Sequence, residues 1–377
     1  MKKLGLLVLS SAAMFAACTS ETEVQNVSPK DAISFNTTLK GVTKAVYTNE
    51  TFDKFKVVAL GGTSDENFID DVVKVSASKW VTNSTHKWPT DKTKKLSFFA
   101  YAPSDLIQDV STAITDASQK LEDFTPQKYL TDQQDIVTAF NKGSKEGNSN
   151  GVNLKFRHAL TQIEILATNE DVRYKVEVLG SKLVRVKSKG TMTFPTDANS
   201  AASWSVDNNE TKSFGDKLPA SITLNATPQR VMTDGNNWMM LPQQLTEWDK
   251  ATNGAYIAVL LRISKADGTA IYPTKKNGNV SANFAYAAIP ISTNWVLGHK
   301  YTYTLRFFGK GGGAGFVPDD LTNPNVDGDD PDVDEEPMDD WSAETMTGKP
   351  IIDGIINFNV TIEDWVDGTT ATETIEN

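Results

Sequence analysis

Cysteine is almost missing from this 377-residue chain; Cys18 is the only one. A single thiol excludes an intrachain disulfide, a multi-cysteine zinc site and CxxC redox chemistry. Histidine is scarce as well. His86, His158 and His299 stand far apart, and no HExxH, GxSxG or P-loop pattern accompanies them. No nucleophile–base constellation is visible, so no enzyme is expected. Beyond the N-terminus no apolar run approaches the ~18 residues of a membrane-spanning helix. A basic stripe is lacking too, which with a net charge of −11 argues against a nucleic-acid partner.

The charge deficit has a local source. From Lys310 to Lys349 there is no intervening Lys or Arg, but twelve acids lie between Asp319 and Glu344. Without those twelve the net charge moves from −11 to +1, so the rest of the chain is nearly neutral. Like charges at this density repel, and Pro318, Pro324, Pro331 and Pro337 interrupt helix and inner strand alike. A solvated acidic loop over 319–344 is expected.

The N-terminus reads as an address. Lys2 and Lys3 precede a short apolar stretch, Leu4–Phe15, and then Ala16-Ala17-Cys18. Small residues before a cut fit signal-peptide processing over 1–17. A cysteine placed there resembles a bacterial lipobox, with Phe15 where Leu is usual; the alternative is an ordinary signal peptide. As a lipidated residue, Cys18 would carry acyl chains that hold the chain on a membrane. Residues 18–31 read as a polar tether.

Past residue 30 the dominant period is two. Val152, Leu154 and Phe156 alternate with polar residues, as do Tyr301, Tyr303, Leu305 and Phe307, and Ile356, Phe358, Val360 and Ile362. Such alternation sets one face of a strand in a core and the other toward water. Short apolar runs such as Ser97–Tyr101 and Tyr256–Ile263 suit strands covered on both faces. Gly, Asn, Asp and Pro clusters separate the runs. An all-β chain of two β-sandwich domains, 32–170 and 171–377, is expected. One short helix is expected over Ser104–Lys120, where Leu106, Val110, Ala113, Ile114 and Ala117 follow helical spacing behind a Ser cap.

Other signals read more blandly. His158 suits a packed strand histidine, and His299 a turn. The Gly311–Gly315 run lacks the following Lys-Ser/Thr helix of a phosphate cradle. Most of the eight Trp residues suit core edges; Trp341, beside Asp339 and Asp340, is a candidate exposed contact. Asn323, Asn325, Asp327, Asp329 and Asp334 offer oxygen ligands near the spacing of a twelve-residue calcium loop. Asp replaces the final Glu there and Pro331 interrupts it; without calcium the segment needs no cofactor.

Several motifs recur in a set order: the lipobox, Ile33-Ser34-Phe35, Val42-Thr43-Lys44-Ala45, Trp88-Pro89, Leu96–Pro103, Gln134-Asp135-Ile136, Phe156–Leu160, Leu241-Pro242-Gln243-Gln244, Trp295–Thr304 and Phe358–Trp365. Together they resemble the fimbrillin-like lipoproteins of Bacteroides-type bacteria, the type V pilins and their minor subunits. The resemblance implies two sandwiches of transthyretin-like topology and export as a palmitoylated outer-membrane lipoprotein displayed in a fimbrium. It also implies removal of an N-terminal strand by a trypsin-like protease, after which another subunit's strand fills the groove. Lys44 stands where the family's Arg is expected, and Lys40 is a second candidate cut. The removable strand is Ala32–Leu39, with Ile33, Phe35, Thr37 and Leu39 on one side. The alternatives are a permanent first strand and a monomeric surface lipoprotein that binds glycan or another extracellular ligand.

Overall fold

A computed structural model of the chain describes residues 31–39, 52–61, 68–106, 111–249, 251–273, 284–319, 347–352, 354–364 and 373–376. Nine strands come from the first part of the chain: β1 (Phe35–Leu39), β2 (Lys54–Leu60), β3 (Ile69–Ser76), β4 (Lys79–Thr82), β5 (Leu96–Ala102), β6 (Ser111–Ile114), β7 (Gln119–Phe124), β8 (Val137–Gly143) and β9 (Val152–His158). The next nine are β10 (Thr161–Asn169), β11 (Tyr174–Lys187), β12 (Gly190–Thr193), β13 (Ser203–Val206), β14 (Thr211–Thr223), β15 (Gln229–Arg230), β16 (Trp238–Met240), β17 (Gln243–Gln244) and β18 (Tyr256–Lys265). The last six are β19 (Ala270–Tyr272), β20 (Ala285–Pro290), β21 (Asn294–Trp295), β22 (His299–Phe307), β23 (Asn357–Asp364) and β24 (Glu373–Glu376). Among the described residues the one helical element is a single 3-10 turn, Leu130–Asp132. The chain is all-β, as the period of two requires.

Seven strands form the first sheet, in the order β1-β9-β8-β5-β2-β3-β4. Its two ends are drawn together, because Ala32, just before β1, pairs antiparallel with Lys87, just after β4. The space so enclosed is filled by Phe35, Phe55, Val57, Phe98, Leu154 and Phe156 with Trp80. Intervening residues of the same strands face the other way. Val58, Leu60, Phe99, Tyr101 and Phe140 pack on a four-stranded sheet, β13-β12-β7-β6, through Ile114, Leu121, Phe124, Met192 and Phe194. Covering on both faces is what makes Phe98–Ala102 an apolar run buried throughout.

The second sandwich sets the sheet β15-β10-β22-β23-β24, with β16 also on β10, against β14-β11-β18-β19, with β20 on β18. Their shared core includes Ile163, Val178, Ile257, Val259, Tyr303 and Phe358. At the centre β10 runs parallel to β22 through eight paired positions, Gln162↔Lys300 to Asn169↔Phe307.

Two features weld the sandwiches. The β12–β13 hairpin leaves the second sandwich and pairs with β7 in the first. Residues 238–241 alternate between cores: Trp238 and Met240 enter the second, Met239 and Leu241 the first. The next residue of the Leu-Pro-Gln-Gln motif but one, Gln243, is buried and acts as a surrogate strand. Its Oε1 accepts from the Lys187 N–H (2.8 Å), and its Nε2 donates to the Lys187 carbonyl (3.0 Å).

Among the described residues, the helix expected over Ser104–Lys120 is not formed. In its place β6 and β7 make a hairpin, Ser111↔Glu122 to Ile114↔Gln119. The Thr115–Ser118 turn is closed by Thr115 N–H to the Ser118 carbonyl (2.7 Å). The helical spacing of small and apolar residues is real, but β-branched Ile114 and Thr115 favour extended backbone. The hairpin also buries Ile114 and Leu121 together and gives β7 a partner in β12. Packing overrides the weak local preference.

Candidate functional site

The candidate site is the first described strand, β1, and the groove that holds it. The alternation Ile33, Phe35, Thr37, Leu39 points inward as the sequence predicts, and all four are buried. Phe35 is the anchor; it meets Phe55 (6.1 Å, 88°) and Phe98 (5.9 Å, 80°) edge-on. Such pairs add to the burial itself. Phe52, the first described residue beyond β1, seals the lower end against Phe156 (4.8 Å) and Trp80 (5.5 Å).

Along its backbone β1 pairs with β9, parallel, from Phe35↔Val152 to Leu39↔Phe156. It is the terminal strand of its sheet. On its other side the contact to the body is short. Ile33 N–H donates to the His86 carbonyl (2.8 Å) and Trp88 N–H to the Asp31 carbonyl (3.1 Å). That receiving segment is itself pinned: Asp71 on β3 accepts from Ser84 N–H (3.0 Å) and pairs with His86 Nε2 (2.8 Å). Burial draws the Asp71 carboxyl upward, but His86 and the backbone N–H groups of Ser84 and Val72 outweigh it and hold the group below its usual range.

The polar side of β1 is also engaged. Asp31 forms an ion pair with Lys145. The Lys145 hydrogen bond, with Lys87 and Lys92 nearby, holds the Asp31 carboxyl below its ordinary value. Asn36 Nδ2 donates to the Asn150 carbonyl (3.1 Å) and to Asn153 Oδ1 (2.9 Å). Gly151 lies under the strand with φ +107°; a Cβ there would stand 3.1 Å from both Ser34 Oγ and Asn36 Nδ2. These groups, and Phe52, were not legible as parts of a site, because the parallel pairing of β1 with β9 joins segments over a hundred residues apart.

Cys18, Lys40 and Lys44 lie outside the described residues, as do Asn323, Asn325, Asp327, Asp329, Asp334 and Trp341. In sequence Lys40 and Lys44 fall between the end of β1 and Phe52. At the base of the acidic segment, Asp319 pairs with Arg185 (2.9 Å) and accepts from Trp248 Nε1 (3.3 Å). The sequence motifs meet in pairs. Asp135 of Gln-Asp-Ile binds His158 Nδ1 (2.6 Å) inside the first sandwich, so His158 is the packed strand histidine expected. His299 of the Trp295 motif binds Asp364 (2.8 Å) of the last one. At the C-terminus β24 lies at the edge of its sheet on β23, Val360↔Ile375 and Ile362↔Glu373.

The family model described as fimbrillin-like matches residues 43–315, well over half of the chain. That range begins past β1 and ends before the acidic segment. Among curated proteins, a fimbrium subunit, Fim1C of Phocaeicola vulgatus, is 29% identical over 140 residues. The match covers 33% of this chain and 37% of that protein, so the chain spans little more than a third of the relative's length. Among solved structures, a fimbrial protein from Bacteroides vulgatus superposes with a TM-score of 0.50 at 17% identity. It covers 74% of this chain and 95% of that one, which is a likeness of fold.

Proposed function

The chain belongs to the fimbrillin-like family, and from that premise we propose that it is a tip or other minor subunit of a surface fimbria. It assembles by exchange of its first strand. In this reading Cys18 is lipidated and tethers the exported chain to the outer membrane. A trypsin-like protease cuts after Lys44, or after Lys40, and residues 18–44 leave with the anchor. A strand of a neighbouring subunit then takes the place of β1.

The observation that carries the reading is the placement of β1. Among the described residues it is a terminal strand and, together with the residue pair before it, it supplies Ile33, Phe35 and Leu39 to a core built mainly from other strands. Its loss leaves the backbone edge of β9 and an apolar groove open together, and an incoming strand satisfies both. The composition of Val366–Asn377 supports the minor role. The segment is polar, with Ile375 its only large apolar residue beyond Val366. Residues 373–376 are already paired to β23. A segment of that kind fills a groove poorly, so the subunit accepts a strand more readily than it donates one.

The test is a Lys40→Ala, Lys44→Ala double substitution in the native host. Full-length surface protein excluded from fibres is expected. Normal incorporation with residues 18–44 still attached refutes the reading. For the anchor, Cys18→Ser should abolish acyl labelling; unchanged labelling refutes the lipid.

A further inference from the structure

The apolar alternation of β1 does not by itself define its register. Sliding a strand by one residue turns its apolar face outward, but sliding it by two restores the alternation. Some feature other than period two must therefore fix which residue lies opposite Val152. The slot for Phe35 between Phe55 and Phe98 supplies part of it, and the polar side of β1 supplies the rest. At the mouth of the groove Asp31 meets Lys145. Three residues on, Ser34 is buried against Gly151, whose lack of a side chain makes the room. Two further on, Asn36 bridges the Asn150 carbonyl and the side chain of Asn153, its register partner. A two-residue slide puts Ala32 or Asn36 on Gly151 and Ser34 or Thr38 at the Asn153 position. Either way the acid leaves Lys145.

We infer that the groove reads a polar code on any strand it accepts, acid–x–x–small–x–amide, with Lys145, Gly151 and the Asn150–Asn153 pair as its readers. The inference rests on the strand exchange proposed above and adds the chemistry of the partner. The incoming strand carries Asp or Glu two residues before its first buried apolar side chain, a small residue at the Ser34 position and a carboxamide at the Asn36 position. The same readers hold β1 in place before the cut. Once residues 18–44 have left, Lys145 lacks the Asp31 carboxylate, so the groove then presents a cation at its mouth. That draws an acid-headed strand and disfavours a basic one. Within this chain Glu373-Thr374-Ile375 matches only the head of the code, Asp31-Ala32-Ile33, since Glu376 stands at the Ser34 position and Asn377 at the Phe35 position.

The experiment uses the full chain with a specific protease site inserted between Leu39 and Phe52. The chain is nicked and then incubated with a fluorescent peptide of residues 31–39, and exchange into the groove is read by anisotropy and native gel. The native-sequence peptide is expected to bind, and its Phe35→Ala form to bind far more weakly. The Asp31→Lys peptide should lose about five- to ten-fold at low salt, a loss that shrinks with added salt and is rescued on a Lys145→Glu chain. The Asn36→Ala peptide should lose about ten-fold through its two hydrogen bonds. Equal binding of the native, Asp31→Lys and Asn36→Ala peptides, with Phe35→Ala still weak, overturns the code and leaves strand exchange standing. No exchange of any peptide into the nicked chain refutes strand exchange, and the code with it.

Discussion

If β1 is a replaceable part, it should open without the rest of its sandwich. Burying Ile33, Phe35 and Leu39 contributes roughly 5–9 kcal/mol at ~1.5–3 kcal/mol per large side chain. Ordering the nine residues 31–39 costs at least ~1 kcal/mol each. The backbone bonds to β9 and to 86–88 recover part of that cost at ~0.5–1.5 kcal/mol apiece. The sum leaves β1 held by only a few kcal/mol, below the global stability of ~5–15 kcal/mol expected for such a chain. Phe35→Ala removes about 3 kcal/mol or more, because Phe55 and Phe98 pack rigidly round the ring. That exceeds or nearly equals what holds the strand. Hydrogen exchange should therefore show the β1 amides accelerating about 100-fold or more, while those of β5 and β8 keep their protection. The matched substitution Phe98→Ala, in the middle of the sheet, should lower protection everywhere. If Phe35→Ala instead accelerates β1, β5 and β8 together, the first strand is part of one cooperative unit and the separable-strand reasoning is wrong.

Three further outcomes are expected. Gly151→Ala should destabilise by about 1–3 kcal/mol in urea and sensitise 40–51 to protease, since it meets both positive φ and the side chains of β1. Gly235→Ala, with positive φ but open space around it, is the control that should not sensitise that segment. Gln243→Ala should cost about 2–3 kcal/mol by leaving the Lys187 N–H and carbonyl bare at the junction; a change below about 0.5 kcal/mol contradicts the surrogate-strand role. On β10, burial pulls Glu164 up, but Lys300 and Arg230 outweigh it and hold its carboxyl below the ordinary 4.5. A depressed folded value means the stability it contributes is full above pH 4.5 and lost as pH falls through the folded value. Melting temperature should fall on that acid limb, and Glu164→Gln should flatten it; an unchanged limb refutes the linkage.

The strands were legible where the period of two met a core on one side. β9, β22 and β23 appear along the alternations that run through Val152, Tyr301 and Phe358. Strands covered on both faces, β5 and β18, were legible from short apolar runs and turn signals. The β6–β7 hairpin was not, because its sequence also satisfies a helical period and only the pairing with β12 decides between them. Of the site, the apolar half could be read from Ile33 to Leu39. The polar half could not, since Lys145, Gly151 and Asn153 become neighbours of β1 only through a parallel pairing between distant segments. A glycine at φ +107° looks in sequence like any loop glycine.

The pairing of β1 with β9, and of β10 with β22, has a mechanical meaning. Both are parallel, and a parallel pair pulled from opposite ends is loaded along its length, so its hydrogen bonds share the force and yield together. An antiparallel hairpin pulled from its open end is peeled one bond at a time. A strand seated where β1 lies would pass tension into β9, and thence through the two-residue link Ala159-Leu160 to β10 and its eight-position ladder with β22. The stitching of Trp238–Leu241 into both cores leaves no slack at the junction to take up that pull. The molecule is built as a tie-bar, in which tension runs along ladders of bonds rather than across them.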